Sequence, residues 1–93
     1  MTLSSLNKYG PAFQIKVIHS LLERKEFLIN IHDILDSSYF DNQAHKWIID
    51  NILKYYNDYH TTPTPEVLKS EYEKVTNDVL KVSIREQLRD AYK

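Results

Sequence analysis

Apolar residues in this chain recur at steps of three and four. Phe13, Val17, Ile18, Leu21 and Leu22 form one such set within "GPAFQIKVIHSLLERK", and Phe27, Leu28, Ile31, Ile34 and Leu35 form a second within "EFLINIHDILD". That spacing places each set on one side of an α-helix. Pro11 suits the first turn of the leading helix, where the N–H it lacks would have no partner anyway. No breaker marks the boundary near Lys25, whereas Ser37 and Ser38 indicate a corner before a third segment.

That third helix follows "SSYFDNQAHKWII". Asp41 is predicted as its N-cap, with a carboxylate able to accept from first-turn N–H groups. Phe40 then falls at N′ and His45 at N4, the two positions of a hydrophobic staple, so Phe40, Asp41 and His45 read as a structural corner. Ala44, Ile48, Ile49, Ile52, Leu53, Tyr55, Tyr56 and Tyr59 cover roughly half the helix circumference, wider than a one-sided surface helix needs. A central helix with several neighbours is expected, with Trp47 outside the arc and turned to another surface. "HTTPTPEVL" ends it and restarts the chain: Thr64 can cap, Pro65 takes the first helical position, and Glu66 complements the positive helix end. Leu68, Tyr72 and Val75 give a short apolar edge. After "TND" a last helix carries Leu80, Ile84, Leu88 and Ala91 in a narrow seam, which suits pairing with one helix better than burial in a core.

The pattern therefore predicts an all-α protein, a compact bundle of about five helices whose C-terminal helix leads toward a helical hairpin. Residues 1–9 are expected to form a flexible N-terminus, 10–76 a helical globular domain and 77–93 the C-terminal helix. One glycine and three prolines in 93 residues agree with long uninterrupted helices rather than strands and tight turns. Seven tyrosines promise an aromatic core. The formal net charge of −1 removes the sequence-independent attraction used by general nucleic-acid binders. No cysteine is present, so disulfides and thiolate metal sites are excluded. With no apolar run of membrane-spanning length and no signal-peptide core, a soluble cytoplasmic protein without membrane contact is expected.

Candidate chemistry is sparse. His19, His32, His45 and His60 stand 13, 13 and 15 residues apart, without the local His-x-x-x-His or Glu-x-x-His pairs of helical metal sites, so no metal is expected. His32 with Asp36, and Asp41 with His45, are i,i+4 neighbours whose expected effect is local electrostatics. There is no Gly-x-Ser-x-Gly, and a single glycine cannot make a phosphate-cradling loop, so neither a catalytic residue nor a cofactor is expected in this chain. Lys81, Arg85, Arg89 and Lys93 make a basic ridge along the last helix. It is a candidate for phosphate contact, but Asp78, Glu86 and Asp90 interleave, and a solvated face is the preferred reading. Trp47, Tyr55 and Tyr59 are the better candidate for an interface, because aromatic residues are enriched at the buried centres of protein contacts.

The order of these signals over residues 17–71 resembles the N-terminal domain of DnaB-type replicative DNA helicases, especially the phage forms. The matching landmarks are the paired leucines Leu21 and Leu22, the corner at Tyr39 and Phe40, the helix carrying His45, Ile48 and Ile49, and the restart at Pro63, Thr64 and Leu68. The resemblance implies an all-helical domain followed by a helix entering a hairpin. It also implies paired domains that form a collar on a hexameric ring and recruit primase or a helicase loader, touching DNA only indirectly. On that reading Leu80, Ile84, Leu88 and Ala91 join Trp47, Tyr55 and Tyr59 as candidate interface residues. The family's motor needs Gly-x-x-x-x-Gly-Lys-(Ser/Thr), which is missing from this sequence, so ATP and magnesium belong to a separate motor domain. The chain is then either one domain of a longer helicase or a free-standing adaptor or inhibitor of a replication protein. A small DNA-binding protein using the Lys81–Lys93 ridge is the remaining alternative.

Overall fold

The third predicted helix, α3 (Gln43–Tyr59), is the axis around which the chain is arranged in a computed structural model that describes residues 10–93. Before it come α1 (Gly10–Glu23), α2 (Lys25–Ile31) and a 3-10 turn at Ser37–Tyr39; after it come α4 (Pro65–Glu73) and α5 (Asp78–Ala91). The protein is all-helical, with no strand among the described residues. The expectation for residues 1–9 lies outside the described residues. Helix α3 packs against α5, α1 and the 3-10 turn; α1 also meets α2 and α5, and α4 rests on α5.

The core is what the periodicity requires. Val17, Ile18 and Leu21 of α1 meet Leu28 of α2, Leu35 and Phe40 of the corner, and Ile48, Ile49 and Ile52 of α3. Those of them that are fully buried, all but Val17 and Leu35, each stabilise the fold by about 1.5–3 kcal/mol. Gly10 opens α1 with φ +80, a backbone state that only glycine adopts freely, and the chain's one glycine stands there.

Several local expectations are corrected. The break between α1 and α2 falls on Arg24, which is extended (φ −127, ψ 96) and offers no side-chain cap. Arg24 N–H still donates to the Ser20 carbonyl at 2.9 Å, and its own carbonyl accepts from Phe27 at 3.0 Å. Helix α2 ends at Ile31 instead of continuing to Asp36. The Asp36 carboxylate accepts from Ser38 N–H at 2.8 Å and starts the 3-10 turn, so the helical His32–Asp36 pair does not form. Asn42, not Asp41, caps α3: its Oδ1 accepts from Ala44 N–H at 2.7 Å and His45 N–H at 3.3 Å. His45 is therefore at N3, and the staple register is lost. Phe40 and His45 still meet edge to face, with ring centroids 6.4 Å apart. The restart after α3 is as expected: Thr64 Oγ1 accepts from Val67 N–H at 3.3 Å, and Pro65 opens α4.

The largest correction concerns α5. Its seam was expected to lie outside the core, yet Ile84 and Ala91 are completely buried and Leu88 packs on the core cluster. The ring Nδ1–H of His19 on α1 donates to the Ala91 carbonyl, satisfying one of the unpaired acceptors at the end of α5. Helix α5 thus lies back along α3 and α1 as part of the same body.

Candidate interaction surface

Trp47, Asn51, Tyr55 and Tyr59 stand at four-residue steps on α3, so they share one ridge. The Asn51 side-chain amide donates to the Trp47 carbonyl at 2.9 Å. Trp47 is half-buried, with part of its ring packed on the core. Tyr55 and Tyr59 stack with centroids 4.6 Å apart at 41°, and Tyr59 remains 64% exposed.

The ridge forms one wall of a cleft of about 510 Å³, with Val67, Leu68, Ser70 and Glu71 of α4 opposite Tyr55 and Tyr59. The cleft exists because the Thr-Thr-Pro-Thr-Pro linker and the Thr64 cap start α4 in a direction that sets it on α5 rather than on α3. Toward the other end of the ridge, Trp47 and Leu80 line a second hollow with Val75 and Asn77. Glu71 borders both hollows. Trp47 and Leu80 thereby border one hollow and Tyr55 and Tyr59 the other. Ile84 and Ala91 are sealed inside the fold and cannot touch a second molecule. Leu88 lies on the far side of α4.

The corner residue His45 has a different role. Its ring is fully buried where α1, α3 and α5 converge, with Nδ1 3.1 Å from Gln14 Oε1 and Nε2 2.7 Å from Gln87 Oε1. A neutral imidazole has one N–H, so one glutamine must turn its NH₂ toward the ring for both contacts to be hydrogen bonds. Burial holds the imidazole below its usual value of 6.5, and the Gln87 bond opposes this only in part. His45 is a structural bridge. Gln14 and Gln87 were not singled out by the sequence reading. The signal is their phase: Gln14 shares the ridge of Val17, Ile18 and Leu21, as Gln87 shares that of Ile84 and Ala91.

The remaining histidines also have structural neighbours. His32 and His60 flank Tyr56, at centroid distances of 4.5 and 5.9 Å. Among the described residues no group of three or more His, Cys, Asp or Glu is placed to hold a metal ion. The basic ridge of α5 divides. Lys81 lies 5.1 Å over the Tyr72 ring and 3.9 Å from Glu73, and Lys93 pairs with Asp90 at 3.6 Å. Arg85 and Arg89 are exposed and border a groove between α4 and α5. No helix among the described residues is long and apolar enough to cross a membrane.

What fold and surface define together is an all-helical domain with an aromatic ridge open along one face. Comparison of the chain with family models, with curated proteins and with solved structures gives no match.

Proposed function

We propose that this chain is a non-catalytic association domain of the kind found at the N-terminus of DnaB-type replicative helicases. Its work is to hold subunits together in a collar and to present a platform for primase or a helicase loader in the cytoplasm of the cell where it acts. The observation that supports this reading is the stacked Tyr55–Tyr59 pair, an aromatic surface left beside an open cleft on the helix that also carries the half-buried Trp47. Aromatic side chains of this kind bury large area at low entropic cost and dominate protein contacts. The landmarks at Leu21, Leu22, Tyr39, Phe40, His45, Ile48 and Ile49 lend the family reading; the ridge lends the association.

ATP hydrolysis is assigned to a separate motor domain. A stable pairing of two such domains buries about 1,000 Å² or more. Sedimentation equilibrium tests the reading. The wild type should self-associate, and Tyr55→Ala with Tyr59→Ala should be monomeric with an unchanged melting temperature. A wild type that stays monomeric at about 1 mM, the concentration at which even weak specific pairing is half-formed, would overturn it.

A further inference from the structure

On the other side of α4 from the aromatic cleft lies a third hollow, of about 290 Å³, between α4 and α5. Its floor is Pro65, Leu68, Tyr72, Leu88 and Tyr92; its rim is Lys69, Arg85 and Arg89. The helices run antiparallel here, since Lys81 sits over Tyr72 at one end while Tyr92 lies beside Pro65 at the other. Three features distinguish this groove from an ordinary gap between helices. The three rim cations form no ion pair among the described residues, although four other pairs do form. The Tyr92 hydroxyl is buried, so at that end the groove floor presents the Tyr92 ring and not its polar group. The volume is also slightly below the range of about 300–1,000 Å³ typical of small-molecule sites, which suits one or two anchoring side chains.

We propose that the α4–α5 groove docks an acidic amphipathic helix of a partner protein, with apolar side chains on Leu68, Leu88 and Tyr92 and carboxylates on Lys69, Arg85 and Arg89. Charge complementarity selects the occupant. An apolar floor inside a cationic rim matches a helix with apolar anchors one turn apart and acidic flanks. Nucleic acid fits less well, because its phosphates would leave the floor uncovered and the chain's net charge of −1 gives no general attraction. This surface shares only Leu68 with the α3–α4 cleft and does not depend on that face being a self-association surface.

The test uses the full chain, ¹⁵N-labelled, and a hydrocarbon-stapled helical peptide with two leucines one turn apart and glutamates on the flanking positions. Amide shifts confined to α4 and the second half of α5 are expected, weakening with added salt. Arg85→Glu with Arg89→Glu should weaken binding roughly tenfold or more, and so should Lys69→Glu to a smaller degree. All three residues are exposed, so the variants keep the fold, and the amide spectrum verifies it. Equal binding of a peptide with lysines in place of the glutamates would overturn the proposal. So would shifts located on the Tyr55–Tyr59 cleft, the absence of any shift with excess peptide, or displacement of the peptide by single-stranded DNA at equal concentration.

Discussion

Replacing His45 with leucine probes the centre of the fold, where α1, α3 and α5 are joined by one imidazole. The substitution keeps apolar volume but removes both nitrogens, which lie 3.1 and 2.7 Å from the glutamine oxygens. Gln14 is only 1% exposed, so its amide loses its partner with no water to replace it. Such an orphaned buried group costs about 1–3 kcal/mol. Gln87 is half-buried and can turn outward, so its share is smaller. Against a total stability of about 5–15 kcal/mol for a domain of this size, the loss is large. At about 4–8 °C per kcal/mol it is easily seen as a fall in melting temperature. Adding Gln14→Leu to His45→Leu should recover much of the loss, because two apolar groups of suitable shape leave nothing unpaired.

The same variant separates a pH effect. Burial lowers the His45 pKa in the folded state, so below 6.5 the unfolded chain binds the proton that the folded chain refuses. Stability from this residue is complete above 6.5 and declines as the pH falls from there toward the folded value. Urea unfolding at about pH 7.5 and pH 5.5 reads this directly: the gap between wild type and His45→Leu should narrow at the lower pH. A His45→Leu protein as stable as wild type at both pH values would refute the bridge.

Two further predictions test the corrected elements. Asn42→Ala should cost about 1 kcal/mol in urea unfolding, while Asp41→Ala should stay within about 0.5 kcal/mol of wild type; the reverse order would return the cap to Asp41. Ile84→Ala should destabilise the monomer by about 2–5 kcal/mol, because its side chain is wholly enclosed. A loss of self-association with no change in monomer stability would instead place α5 outside the core.

The parts legible in the sequence are those governed by one strong local signal. Helix α4 begins where Thr64 and Pro65 said it would, because a cap and a first-turn proline act on the backbone within one turn. Helix α3 is central because half its surface is apolar, and no exposed arrangement accommodates that. The errors arose where two residues offer the same local chemistry or where tertiary packing decides. Asp41 and Asn42 are equally good caps, and the choice turns on how the corner at Phe40 enters the core. Arg24 breaks a helix with no glycine or proline to announce it, within a run of four exposed charged residues from Glu23 to Glu26 that gives that turn no anchor. The narrow seam of α5 suggests pairing with a single helix, but Ile84 and Ala91 are buried because α1 and α3 both close on it. The aromatic ridge was half legible. The residue types of Trp47, Tyr55 and Tyr59 point to an interface, but the cleft beside Tyr55 and Tyr59 and the hollow beside Trp47 depend on where α4 comes to rest.

The central claim is that the Tyr55–Tyr59 face binds a second copy of the chain. Isotope-filtered NOE spectra of a mixture of ¹³C-labelled and unlabelled protein test it most directly. Contacts between molecules should arise from the rings of Trp47, Tyr55 and Tyr59 and from the α4 side of the cleft. An associated protein whose intermolecular contacts fall elsewhere, or a protein that gives none at all, would contradict it.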